Sequence, residues 1–186
     1  MEGPDERGAL YYPVPVQRLP HKGLMVTIEA DEREKAALAE RHGLLKVDDF
    51  RAEFHLSPWK KQGVRVRGTV RAGITQACIV TLDPVDSSID ETVDAVFVPE
   101  RSRLARVDTD DSGELVLDPE GPDMPETFSG DALDTGAIAE EFFELAIDPY
   151  PRKEGAELTE ERDVAEDKTE APKSPFAELA KWKSKQ

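Results

Sequence analysis

The sequence predicts an α+β fold: a bent antiparallel β-sheet, a half-barrel-like meander, packed by two helices and followed by a disordered C-terminal tail. Three observations predict it. Val64, Val66, Gly68, Val70, Ala72, Ile74, Gln76, Cys78, Val80 and Leu82 keep one parity over 19 residues, with Arg65, Arg67, Thr69, Arg71, Thr75 and Thr81 on the other. Period-two runs precede and follow this stretch, the pattern of half-buried strands joined by turns. Two further segments, near residues 31–43 and 135–147, carry helix start and stop signals. A straight strand of the longest run would span roughly 60 Å at about 3.3 Å per residue, so it must bend, and Gly68 and Gly73 are where a kink costs least.

In chain order, residues 1–22 form an extended arm, because the alternating prolines of "YYPVPVQRLP" forbid a helix; the arm doubles as a candidate edge strand. A single domain is expected over residues 23–151. "GLMVTIEA" is a short strand, and "DEREKAALAERHG" a helix with Asp31 as N-cap and Gly43 just past its end. Phe50, Ala52, Phe54 and Leu56 alternate with Asp49, Arg51, Glu53 and His55, and a turn containing Ser57, Pro58 and Gly63 leads into the long run. "DPVDS" turns the chain into a further strand with Ile89, Val93, Ala95 and Phe97 on one face and Asp90 and Asp94 on the other. An acidic loop follows, with at most a short strand at Glu114–Leu117.

The second helix is expected from Thr135 to Ile147, capped by Asp134 and stopped by Pro149 and Pro151. Ile138, Phe142 and Leu145, widened by Phe143 and Ile147, form its apolar stripe, with Glu140, Glu141 and Glu144 toward water. Residues 152–186 read as a disordered acidic tail. Within it, 175–185 form a short docking segment, with Phe176 and Leu179 as its apolar contacts.

Forty acidic and 24 basic residues give a net charge of −16. The charge is uneven: residues 54–82 carry five cations and no acid, while 83–186 carry 11 basic and 29 acidic residues. No apolar run is long enough to cross a bilayer and no secretory signal is present, so a cytoplasmic protein is expected. One cysteine makes no internal disulfide, and no metal or other cofactor is expected. There is no phosphate-cradling glycine loop, nucleophile elbow or histidine pair at metal spacing. His21, His42 and His55 read as lone surface histidines on an arm, a helix end and a strand's polar face. An enzyme is not expected.

Two surfaces have binding chemistry. Lys60, Lys61, Arg65, Arg67 and Arg71 are spaced to track phosphates, which makes them candidate RNA contacts. The competing account is internal: with strand partners summing to about 120, Glu53 lies opposite Arg67 and Asp49 opposite Arg71, leaving Lys60, Lys61 and Arg65 most available. Glu140, Glu141 and Glu144 form either a solvated helix face or a surface for a basic partner. Cys78, on the parity of Ile74 and Val80, reads as a small buried hydrophobe with an inert thiol.

"GTVRAGITQACIVTLDPVDSSIDETVDAVFVP" followed by "LDTGAIAEEFFELAIDPYPRKEGAEL" resembles the YceD-like family, that of the large ribosomal RNA subunit accumulation protein, in its alphaproteobacterial form. The resemblance runs from about Leu10 to Leu158 and includes the closing "PFAELAKWK". It implies a non-enzymatic part in accumulation of large-subunit ribosomal RNA and in ribosome assembly. The partner it implies is rRNA or a pre-ribosomal particle or, in the alternative, a basic large-subunit ribosomal protein for which the chain is an acidic adaptor or holding factor. Many relatives carry a C-x-x-C pair at the end of this strand; here Cys78 holds the first position and Thr81 the second, so one thiol supplies too few ligands for zinc.

Overall fold

The computed structural model describes residues 8–60, 62–102 and 124–156. Its elements are β1 (Pro13–Pro15), β2 (Leu24–Glu29), α1 (Glu32–Arg41), β3 (Lys46–Trp59), β4 (Gly63–Ala77), β5 (Pro84–Pro99), β6 (Glu126–Phe128), β7 (Ala132–Asp134) and α2 (Thr135–Ala146). β2, β3, β4 and β5 form the expected antiparallel meander, and β6 joins the far edge parallel to β5. The sheet is open, not a closed barrel. β1 and β7 pair separately as a two-stranded ribbon. Among the described residues no helix is long and apolar enough to cross a membrane.

Sequence chemistry explains the helix boundaries. The Asp31 carboxylate accepts from the Arg33 and Glu34 amides while Glu34 reaches back to the Asp31 amide, a reciprocal cap that satisfies otherwise orphaned donors. α1 ends at His42, and Gly43 follows with φ +65°. Asp134 caps α2 by accepting from Gly136 and Ala137, as expected. The core lies between the sheet's inner face and the helices: Phe54, Leu56, Val66, Val70 and Ile74 from the strands meet Leu38 and Phe143 from the helices, all essentially inaccessible. Phe50 meets Phe143 edge to face at 5.5 Å.

Two local irregularities mark the β3–β4 pair. At Gly68, paired with Phe54, a Cβ would fall 1.9 Å from the Glu53 carbonyl oxygen, so β3 and β4 approach more closely there than any side chain allows. The second irregularity is in β3, where the register shifts between Val47 and Asp49 opposite Gly73 and Ile74.

Four expectations are corrected. β4 stops at Ala77, because Cys78–Asp83 closes into a turn in which the Cys78 amide donates to the Asp83 carbonyl (2.8 Å) and Leu82 takes φ +63°. Leu82 is consequently exposed, and the single parity ends short of it. β3 continues through Ser57 and Pro58 to Trp59, so that Lys60 and Gln62 lie in the turn. β6 and β7 lie where only a loop was expected, each too short for a periodic signal. The expected strand at Glu114–Leu117 and the tail beyond 156 lie outside the described residues.

The fourth correction concerns the faces of α2. Leu145 is exposed and Glu140 is buried, the reverse of the predicted stripe. The N-terminal arm is the reason. At Gly136 a Cβ would stand 2.8 Å from the Leu10 carbonyl carbon, so the arm's backbone lies directly on the first turn of α2. Glu140 is one turn further along the same face and is covered by the same arm.

Candidate interaction surface

The outer face of the sheet gathers the predicted basic row. Arg65, Arg67 and Arg71 project from β4, but their partners come from β5. Arg65 binds Asp94 bidentately, Nε to Oδ1 at 2.7 Å and Nη2 to Oδ2 at 2.8 Å. Arg67 Nε reaches the same carboxylate at 3.2 Å, and Arg71 Nε reaches Asp90 Oδ2 at 3.2 Å. The hydrogen bond from Arg65 holds the Asp94 carboxyl below its usual range, opposed by desolvation and helped by the charges of Arg65 and Arg67.

The expected pairing with β3 is wrong by two residues. The register sets His55 opposite Arg67 and Arg51 opposite Arg71. Glu53 instead binds Arg51 at 2.8 Å, and Glu29 from β2 binds it at 2.5 Å. The two-residue offset keeps every side chain on its predicted face while exchanging its neighbours. The sequence puts Asp90 and Asp94 on the polar face of β5, and in a meander that face lies beside the β4 arginines, which is the signal for the true partners.

The hairpin tip differs. Lys60 has φ +51°, and its ammonium lies 4.2 Å from the centre of the Trp59 ring. No salt bridge to Lys60 is found among the described residues. Lys61 lies outside them. Trp59 and Lys60 help to line a groove of about 750 Å³, with Arg65, Asp94, Met124 and Phe142.

Glu140, Glu141 and Glu144 do not share one environment. Glu140 is an internal joint: its carboxylate accepts from Arg41 Nε (3.1 Å), His42 Nε2 (3.3 Å) and the Leu10 amide (3.3 Å). His42 is therefore not a surface histidine; its side chain is 6% exposed and packs edge-on against Phe143. Glu141 and Glu144 are exposed. Glu126, on β6, is held above the usual carboxylate range by desolvation and by the charge of Glu141, with no salt bridge to Glu126 among the described residues. Phe176 and Leu179 lie outside the described residues.

Cys78 is buried as expected, and its sulfur is hydrogen-bonded. Sγ accepts from the amides of Val80 (3.4 Å), Thr81 (3.5 Å) and Lys153 (3.4 Å), the last arriving from the segment after α2. These donors, Lys153 foremost, pull its pKa down to about 6 despite desolvation. Among the described residues no group of three His, Cys, Asp or Glu side chains could hold a metal ion. The depressed value lies below that of an unfolded thiol, so the unfolded chain binds the extra proton between about pH 6 and 9 and stability from this site grows with pH across that window. The melting-temperature gap between wild type and Cys78→Ala should widen from pH 6 to pH 9. A gap that stays constant or narrows would show that the thiol remains protonated.

An open sheet clad on one side by helices, its other side a ladder of paired arginines and carboxylates, defines an α+β scaffold that presents a charged face. The family model described as large ribosomal RNA subunit accumulation protein YceD matches residues 66–183, more than half of the chain. The chain belongs to that family, and its name ties it to accumulation of the large ribosomal RNA subunit. No curated protein matches, and no solved structure does.

Proposed function

We propose that the protein supports large-subunit rRNA accumulation as an acidic adaptor or holding factor for a basic protein of the large subunit. It acts by binding, not by catalysis. The observation that carries this reading is the capture of Arg65, Arg67 and Arg71 by Asp94 and Asp90, which leaves that row of the one basic window with a single net positive charge. A phosphate approaching Arg65 must displace a carboxylate already bound bidentately, and at Arg67 and Arg71 it meets guanidinium groups whose charge is partly screened by a neighbouring carboxylate. A cationic partner, by contrast, finds exposed Glu141 and Glu144 and the mutually repelling Glu126 and Glu141.

A second reading keeps direct contact with rRNA or a pre-ribosomal particle, and Trp59 with Lys60 favours it. An aromatic ring beside an ammonium at an exposed tip suits a base and its phosphate. Lys61, Arg67 and Arg71 would then assist rather than lead.

One pull-down separates the readings. Tagged protein is incubated with cell extract at low and high salt, with and without RNase. The adaptor reading expects capture of a basic large-subunit protein that survives RNase, weakens with salt, and falls several-fold in Glu126→Lys/Glu141→Lys. It expects no change in Arg65→Glu/Arg67→Glu. Loss of all capture on RNase treatment would overturn it in favour of RNA.

A further inference from the structure

Among the described residues, no strand covers the edge of the sheet opposite β6, which is the outer side of β2. Protected edges carry proline, an inward charge, a bulge or a central lysine. β2 reads Leu-Met-Val-Thr-Ile-Glu, pairs with β3 without a register shift, and has one charge, at its end, bound to Arg51. Leu24 is 38% and Met25 66% exposed.

Main-chain directions follow from one bond. The Ala30 amide donates to the Phe50 carbonyl, so even-numbered residues of this stretch bond to β3 and Met25, Thr27 and Glu29 point their N–H and C=O groups outward. That outward set is symmetric about Thr27.

We propose that this edge pairs with the same edge of a second copy of the chain about a two-fold axis through Thr27, joining two five-stranded sheets into one. The register makes the pairing self-complementary. Thr27 exchanges both main-chain bonds with its own counterpart, and Met25 does so with Glu29. On the inner face Val26 meets Ile28, and the exposed Leu24 meets Ala30. No like charges stand directly opposite, since each Glu29 faces a methionine and is held by Arg51. The large negative charge does not oppose the contact locally: residues 1–53 carry 8 basic and 11 acidic residues, and the excess of acid follows residue 82.

The test is sedimentation equilibrium of the full chain from about 1 μM to about 1 mM, the span in which a modest interface is populated. The mass should rise with concentration from 20.6 kDa toward twice that value. Thr27→Pro removes only an outward N–H and should stay monomeric while keeping its circular dichroism. Should that variant unfold, Met25→Lys decides, and it should raise the dissociation constant at least about tenfold. Ser88→Lys, on the same sheet face but on β5, should change nothing. A wild-type chain that is monomeric throughout overturns the proposal, as does a dimer that survives Met25→Lys or is lost equally in Ser88→Lys.

Discussion

Glu140→Ala is expected to cost about 3 kcal/mol of stability, although a glutamate on a helix with two other glutamates looks dispensable. The loss follows from its partners. The Leu10 amide and the His42 ring nitrogen are buried, and each left without an acceptor costs roughly 1–3 kcal/mol. Arg41 adds little, because its side chain is half exposed and can turn to water. Urea denaturation should show a lower midpoint with an unchanged slope. Glu140→Gln, which keeps an acceptor for Leu10, should recover part of the loss. A variant within about 0.5 kcal/mol of wild type would show that the arm is not held through this carboxylate.

Gly68→Ala should be still more damaging, costing more than about 3 kcal/mol or preventing folding. The new methyl would meet the Glu53 carbonyl oxygen at 1.9 Å and the Phe54 Cα at 2.9 Å, main-chain atoms that cannot rotate away. The cost is at the upper end for overpacking because a strand pair must separate to relieve it. For a chain of this size that corresponds to roughly 6–12 °C in melting temperature. Gly73→Ala is the control: its nearest neighbour is the tip of the Asp49 side chain, which can swing aside. Equal melting temperatures for the two variants would remove Gly68 as the point of close approach.

These residues also mark how far the sequence alone reaches. Strand parity sorted the two sheet faces correctly from Val64 to Gln76, since alternation records burial directly. It could not set register, because a shift of two preserves alternation; Arg71 was therefore matched to Asp49 and not to Asp90. Caps were legible because Asp31 and Asp134 act on amides two or three residues away. The burial of Glu140 was not, because it depends on an arm more than a hundred residues distant lying over Gly136. Cys78 shows the same division: its own turn supplies two amides, and the third comes from Lys153.

The ribbon of β1 and β7 has a consequence for synthesis. Tyr12 donates its amide to Asp134 at 2.9 Å across 122 residues, and Thr135 in turn bonds the Tyr12 carbonyl. The stretch translated early therefore waits for α2. At about 5–20 residues per second that wait is on the order of 6–24 s, during which Leu10 and the part of the inner face that Phe143 covers have no cover from α2. During translation this fold is completed from its two ends, and until the second end emerges it is a natural client for whatever shields nascent apolar surface.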